Sequence, residues 1–217
     1  PGEKLMCISN TNNGTVAKRI QFIGKASHAG GAPHLGINAL NAAMMAMTAI
    51  NFNRETFRDE DSIRVHPIIT KGGEAVSAVP ADVRMETFVR GRTLDALMDA
   101  NTKVDRALRA GAMAVGAEIK IQTIPGYMPL HQNQAMAEIF RVNAAELVGE
   151  ENVGYVDHRG GSTDMGDISR LMPVIHPYVG GATGLGHGAT YVIEDYSLAV
   201  IKGAKALSYS AIDLLAD

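Results

Sequence analysis

The sequence predicts mixed α and β structure in two parts, an antiparallel sandwich followed by part of a second α/β sheet. Strand-like and helix-like patterns alternate in a regular order up to residue 125, and the pattern changes after the turn-forming segment PGYMP at 125–129. A hydrophobic content of 46% in 217 residues is enough for a substantial core.

The first part has the order β-α-β-β-α-β. Runs rich in β-branched residues predict strands, and apolar residues at three-to-four spacing predict helices. The strands are predicted at 15–24, 62–71, 81–89 and 117–124; one helix carries Ile37, Leu40, Met44, Met47 and Ile50, and the other carries Leu94, Leu97, Met98, Val104 and Leu108 and ends near Gly111. This is the order of a ferredoxin-like sandwich, a four-stranded antiparallel sheet with two helices on one face. We expect Met44, Met45 and Met47 to fill its core and an interface.

The second part contains fewer strands than a complete sheet needs. The predicted elements are a helix at 134–148, strands at 153–156 and 172–179, a polar loop at 160–167, and a last helix carrying Ile193, Val200, Ile201, Ala204, Leu207, Ala211 and Leu214. Such a set usually completes a larger α/β sheet that begins elsewhere.

Composition argues against several classes of partner. The net charge is −3 without a basic cluster, so neither nucleic acid nor an anionic membrane is an expected partner. No apolar run approaches the length of a bilayer span. A single cysteine, Cys7, cannot form an internal disulfide, and no signal peptide opens the sequence, which favours the cytoplasm.

Two histidines lie in a Gly/Pro-rich loop between a strand and a helix. A neutral imidazole N–H of His28 or His34 can polarise a substrate carbonyl and stabilise its oxyanion. The alternative is a loop histidine that only bonds to backbone. As a metal site the pair is weak, because two ligands do not close one.

The second part offers further polar candidates. His187, flanked by glycines after a predicted strand, is either a metal ligand or a turn residue. Asp164 and Asp167 suit acid–base chemistry or cation binding, with helix capping as the commoner explanation. The G-x-G-x-x-A pattern at 184–189 is not a dinucleotide site, because no acidic residue follows at the required distance.

Several motifs together resemble one family. Gly24–Ala39 (GKASHAGGAPHLGINA) resembles the opening of the lid, or dimerisation, domain of the aminoacylase/carboxypeptidase-type metallopeptidases, the M-twenty peptidase family. The similarity is greatest to its amidohydrolase and aminobenzoyl-glutamate hydrolase branch. Other similar motifs are GGEA at 72–75 with Val79-Pro80, RTLD at 92–95, GSTD at 161–164 and the GHG around His187.

The resemblance implies an enzyme that hydrolyses an N-acyl or peptide amide bond next to a carboxylate. Two divalent metal ions, usually zinc and otherwise manganese or cobalt, would activate the attacking water, with a glutamate as general base. It also implies that His28 acts in trans across a homodimer, that His187 is a metal ligand, and that Arg92, Ser162 and Thr163 bind substrate.

The resemblance further implies domain boundaries. Residues 1–13 would be a remnant or linker of the catalytic domain, 14–125 the lid, and 126–217 the C-terminal part of the catalytic domain. The family's H-x-D pair, bridging aspartate and Glu-Glu dyad precede the lid, and none occurs in residues 1–13. We therefore expect a piece of a hydrolase that alone is inactive and binds no metal tightly. The alternative is a non-catalytic dimerisation module.

Overall fold

The computed structural model describes residues 5–216, which form eleven β-strands and five α-helices. The strands are β1 (Met6–Asn12), β2 (Gly14–Ile23), β3 (Arg64–Val65), β4 (Ile68–Lys71), β5 (Asp82–Gly91), β6 (Glu118–Pro125), β7 (Leu130–His131), β8 (Val153–Arg159), β9 (Tyr178–Val179), β10 (Ala182–Thr183) and β11 (Val192–Ile193). The helices are α1 (Ala39–Phe52), α2 (Leu94–Val115), α3 (Gln134–Val148), α4 (Met165–Ile168) and α5 (Gly203–Ala216). None of these helices is both long enough and apolar enough to cross a bilayer.

These elements form two compact units. The sandwich unit contains residues 13–129 and 160–163, and the α/β unit contains 5–12, 130–159 and 164–216. In the sandwich unit an antiparallel sheet has the order β3-β5-β2-β6, with β4 also paired to β5. Both α1 and α2 pack on this sheet. The predicted mixed fold is confirmed.

The core of the sandwich unit lies between the sheet and the two helices. Alternate residues of β2 and β5 point into it, which gives the period of two expected of strands buried on one face. The largest contributions from the strands are Phe22, Val83 and Met85, which are fully buried. Leu108 from α2 is fully buried as well.

A very close approach of α1 and α2 corrects one prediction. Helix α2 does not end near Gly111 but continues to Val115. A Cβ atom added at Gly111 would lie 2.5 Å from the backbone nitrogen of Ala46 and 2.6 Å from the carbonyl oxygen of Ala42. Gly111 therefore permits the helices to touch rather than terminating one of them.

The same approach changes which face of α1 is buried. The core face consists of four alanines and Ile50, and the alanines lie where α2 comes too near for longer side chains. Met47 packs against the core, but Met44 is 57% exposed and Met45 49% exposed. The expectation that these two methionines fill the core is wrong.

The predicted strand at 62–71 is divided into β3 and β4. Between them lie His66 and Pro67, and proline has no backbone N–H to donate to a ladder. The register of β4 on β5 also shifts between Ile69 and Lys71. The far edge of β4 has no strand paired to it among the described residues.

One charged side chain lies inside the sandwich unit. Lys18 is 1% exposed, and its Nζ donates to Asp105 Oδ1 at 2.6 Å and to Thr123 Oγ1 at 2.9 Å. A buried ammonium is tolerated only when it is paired in this way. The interaction connects β2 to both α2 and β6.

In the α/β unit, β1 is the central strand of a small sheet. It pairs in parallel with β8, while β7 and β9 pair with it antiparallel. Met6 and Ile8 from β1 pack with Phe140 from α3. A parallel strand pair is typical of the α/β sheet that the sequence predicts for this part of the chain.

Two predictions in the α/β unit are wrong in detail. Only Tyr178–Val179 of the predicted strand at 172–179 pairs with β1; Pro173 and Pro177 interrupt the rest. Ile193 lies in β11 rather than in the last helix. That helical segment, Ser197–Lys202 with α5, buries small residues against α3. The larger apolar residues predicted to face the core are half-exposed: Val200, Ile201, Leu207 and Leu214.

Enlarging Gly111 tests the helix contact. Alanine normally stabilises a helix by about 1 kcal/mol relative to glycine. Because the new Cβ would collide with Ala42 and Ala46, we expect Gly111→Ala to destabilise the protein by about 1–3 kcal/mol, measured by chemical denaturation. The control is Ala114→Gly at an exposed position of α2. An unchanged or higher stability of Gly111→Ala would contradict the close packing.

Candidate functional site

The loop that carries His28 is held by a continuation of the β2–β5 pairing. Beyond the last register pair, Ile23 with Asp82, the Gly24 N–H donates to Ala81 O at 2.8 Å. The Val79 N–H donates to Ser27 O and the Ala29 N–H to Ser77 O, with His28 and Ala78 in an isolated bridge. The loop therefore extends the sheet rather than hanging free of it.

The other side of the loop returns to the start of α1. Lys25 and Ile37 exchange two backbone hydrogen bonds of 2.9 Å. A Cβ at Gly24 would lie 2.1 Å from Ile37 O, so only glycine permits this approach. Asn38 then caps α1, and its Oδ1 accepts from Leu40 N and Asn41 N. Both ends of the loop are thus fixed to rigid elements.

The His28 ring is exposed but orientated. Its Nδ1 accepts hydrogen bonds from the backbone N–H groups of Gly31 at 2.9 Å and Gly30 at 3.2 Å. A nitrogen that accepts carries no proton, so the neutral ring has its proton on Nε2. The ring makes no other hydrogen bond to residues 5–216. Nε2–H is therefore available as a donor to a ligand.

A shallow depression of about 560 Å³ lies beside this loop. Its walls come from the loop, from the start of α1 and from the segment before β5. Ala29, Asn38, Val79 and Pro80 are among its lining residues. His34 is not among the residues that line this depression and lies exposed in a short turn at Pro33–Leu35.

Arg92 lies at the opposite end of the sandwich sheet. It follows Gly91, which pairs with Gly14 at the start of β2, whereas His28 lies beyond the end of β2. Since β2 has 10 residues, its two ends are about 30 Å apart at about 3.3 Å per residue. One small substrate cannot touch both side chains of the same protomer.

The segment containing Ser162 and Thr163 joins the Arg92 end. Asn13 Nδ2 donates to Ser62 O at 2.9 Å and to Gly160 O at 3.2 Å. The neighbouring Asp61 O accepts from the Arg92 N–H at 2.8 Å. The three predicted substrate-binding residues are thus gathered at one end of the sandwich unit. The Ser162 Oγ is buried without a hydrogen-bond partner in the described structure.

The predicted metal ligand His187 belongs to the α/β unit. It occupies an exposed turn between β10 and β11 and has a positive φ of 66°. Asp164 and Asp167 flank the start of α4. Among residues 5–216, no three His, Cys, Asp or Glu side chains converge to hold a metal ion. The described residues therefore do not fit a complete metal centre, which needs three or four ligands.

Comparison with known proteins identifies the sandwich unit. Residues 10–114 match the family model described as the peptidase dimerisation domain of the M-twenty family. This chain contains an M-twenty peptidase dimerisation domain. The resemblance seen in its motifs is confirmed, and the dimerisation domain corresponds to most of the sandwich unit.

Relatives extend the similarity beyond the dimerisation domain. The "Xaa-Arg dipeptidase" of Mus musculus is 30% identical over 206 residues, covering 90% of this chain and 47% of the relative. The "Indole-3-acetyl-aspartic acid hydrolase" of Enterobacter agglomerans is 25% identical, covering 76% of this chain and 37% of the relative. The chain spans about half the length of the curated dipeptidase that it matches.

Solved structures share the fold. An amidase of the hydantoinase/carbamoylase family from Burkholderia vietnamiensis superimposes with a TM-score of 0.78 at 18% identity. The match covers 97% of this chain and 50% of that one. At this identity the similarity establishes the architecture alone.

Outside the dimerisation domain, the α/β unit contains a half-buried polar cluster that no sequence motif indicated. It comprises Asn12, Gln132, Arg159, His176 and Tyr178, at and around the carboxyl end of β1. One signal was present: the run SNTNN at 9–13 is polar, although it ends a strand that is otherwise apolar. Polar residues at the carboxyl end of a parallel strand are frequent ligand contacts.

Asp82, at the base of the His28 loop, gives the dimerisation domain an acid sensitivity. Hydrogen bonds from Gln21 and then Lys71, with a further contribution from Arg84, lower the pKa of Asp82 to about 2, below its ordinary value of 3.8. Ionised Asp82 therefore stabilises the fold above pH 3.8, and this contribution is lost as the pH falls towards 2.

We expect the free energy of unfolding of Asp82→Asn to fall less than that of the wild type between pH 5 and pH 2.5, measured by chemical denaturation. The exposed Glu118→Gln is the control, and an equal loss in wild type and Asp82→Asn would contradict this assignment.

Proposed function

We propose that this chain supplies the dimerisation domain and part of the catalytic domain of an amide hydrolase. Its substrate is an N-acyl or peptide amide adjacent to a carboxylate, bound by residues of one protomer and polarised by His28 of the other. The observation that carries this proposal is the placement of His28 and Arg92 at opposite ends of a strand of 10 residues. The two residues can serve one substrate only if different protomers provide them.

In this proposal, His28 acts as a hydrogen-bond donor. When water attacks an amide carbonyl, negative charge develops on the carbonyl oxygen, and a fixed N–H donor stabilises it. The Gly30 and Gly31 N–H groups fix the tautomer that places the proton on Nε2. A ring that is already orientated needs little reorganisation as the charge forms.

The Arg92 end would hold the substrate carboxylate. A guanidinium forms two parallel hydrogen bonds to a carboxylate, and the neighbouring Ser162 and Thr163 add hydroxyl groups. The names of the relatives support this substrate class: a dipeptide and an acyl-aspartate both carry a carboxylate close to the amide. We therefore propose a small N-acyl amino acid or peptide as the substrate.

The M-twenty family is generally metal-dependent. Zinc, with manganese or cobalt as alternatives, remains our proposal for the complete enzyme. Because the described residues do not bring a full ligand set together, no reaction step is assigned to a metal held by this chain, and His187 is proposed only as one contributor. The same observation favours the second candidate function, a non-catalytic dimerisation module.

The free Cys7 supports the cytoplasm as the proposed location.

A homodimer surface is proposed on the β4 side of the dimerisation domain. Here the edge of β4 carries Ile68, which is 60% exposed, and Ile69. Helix α1 packs on β5, the strand that pairs with β4, and carries the exposed Met44 and Met45. An unpaired edge next to apolar side chains favours symmetric pairing with a second copy.

Sedimentation tests the dimer surface. We expect the chain to be a dimer at tens of micromolar and Met44→Glu with Ile68→Glu to shift it to monomer, since both changes place charge on an apolar contact. Met113→Glu, at a methionine of α2 that is 79% exposed, should leave the dimer intact. Monomeric wild-type protein, or equal effects of both sets of changes, would refute this surface.

Turnover measurements test the proposed role of His28. In the complete enzyme, His28→Ala should reduce kcat about 100- to 1000-fold, as the loss of one oxyanion donor does, and leave dimerisation unchanged. His34→Ala is the matched control, because its exposed side chain lies in the neighbouring turn without a proposed role. Similar losses in both variants, or nearly normal turnover of His28→Ala, would remove His28 from the reaction.

A further inference from the structure

The polar cluster of the α/β unit has no role in the proposed function. We call the set Asn12, Gln132, Arg159, His176 and Tyr178 the Tyr178 cluster. Asn12 and Arg159 are register partners at the carboxyl ends of the parallel strands β1 and β8. In α/β sheets this is the position where ligands collect.

The Tyr178 ring is held from three directions. Asn12 Nδ2 donates to the Tyr178 hydroxyl at 2.7 Å. The Arg159 guanidinium lies over the ring face, with its Cζ 4.1 Å from the ring centroid. The His176 ring meets Tyr178 edge-on, at 5.3 Å between centroids and 89° between planes. Tyr178 therefore positions both the arginine and the histidine.

A second layer of hydrogen bonds fixes these positions. Gln132 Oε1 accepts from the His176 N–H at 2.6 Å, and Gln132 Nε2 donates to Ser9 O. Ser9 Oγ donates to Asn12 Oδ1 at 2.9 Å. Ser9, Asn12 and Gln132 are all buried. The cluster is thus preorganised by side chains that solvent does not reach.

Two polar atoms of this preorganised cluster are left without a partner. Arg159 Nε and His176 Nδ1 are both inaccessible to solvent and hydrogen-bonded to nothing in residues 5–216. Arg159 also forms no ion pair with a carboxylate of the described residues. Folded proteins rarely leave buried polar atoms unpaired, and those that remain frequently mark the place of a ligand or water.

We propose that the Tyr178 cluster binds a small carboxylate ligand through Arg159. The Nε–H and one Nη–H of Arg159 can form two parallel bonds to a carboxylate. The carboxylate reaches Nε when the side chains that enclose this atom move apart. His176 Nδ1 supplies a further polar contact. This carboxylate is a different one from that assigned to Arg92, such as the carboxylate of a released acid. Its identification with a released acid rests on the proposed function, and the binding site itself does not.

The test is a nuclear magnetic resonance titration of the full 217-residue chain. N-acetylglycine is the probe, and N-acetylglycinamide, which lacks the carboxylate charge, is the matched ligand. We expect N-acetylglycine to shift the Arg159 Nε–H resonance saturably and the amide not to shift it. An unperturbed Arg159 Nε–H at saturating carboxylate, as expected for a site filled only by water, would overturn the proposal.

Variants make the assignment specific. Arg159→Gln should weaken N-acetylglycine binding about 10- to 100-fold, because it removes a charged hydrogen-bonding partner. Arg90→Gln is the control, since Arg90 also lies over an aromatic ring, that of Phe88 at 5.4 Å, but in the sandwich unit. If Arg159→Gln does not fold, Arg159→Lys keeps the charge without the planar fork and should still weaken binding at least about tenfold. Unchanged affinity for N-acetylglycine in a folded Arg159 variant would refute the site.

None of these measurements requires turnover. A failure of the proposed amide hydrolysis is therefore distinguishable from a failure of this inference.

Discussion

The position of His28 depends on the antiparallel pairing of β2 with β5 and with the residues that precede β5. Register pairs run without a break from Gly14 to Ile23 on β2, and backbone hydrogen bonds continue the pairing to Ala29. A backbone ladder has no side-chain freedom, so it fixes the loop more rigidly than side-chain contacts would. The close approach at Gly24 maintains the same geometry from the other side.

That ladder also imposes the constraint from which the proposed function follows. It places His28 beyond one end of β2 and Arg92 beyond the other, and the segment 160–163 joins the Arg92 end through Asn13. Side chains separated by a whole strand cannot meet on one small molecule. A symmetric dimer removes this restriction, because each copy can present His28 to a ligand held at the Arg92 end of the other. The exposed methionines of α1 and the open edge of β4 offer the surface for such pairing.

Much of this fold could be predicted from the sequence because its strands and helices have clear periods. The helix α3, for example, has the predicted bounds Gln134–Val148. The errors about helix faces share a cause: the apolar pattern predicts long side chains in the core, whereas close helix contacts select glycine and alanine there, as at Gly111. The His28 loop was recognised from its motif, but the two bonds that fix its tautomer come from backbone geometry that no residue pattern reveals. The Tyr178 cluster was missed because its members are far apart in sequence and meet only after β1 and β8 pair.

A subunit-mixing experiment tests the central claim most directly. His28→Ala and Arg92→Ala forms of the complete enzyme, each inactive alone, are unfolded together and refolded so that subunits pair at random. If His28 acts on the partner's substrate, each mixed dimer holds one intact site, and about one quarter of wild-type activity should return, because about half of the dimers are mixed. If the mixture stays as inactive as its components, His28 and Arg92 act within one protomer or not at all, and the account is wrong.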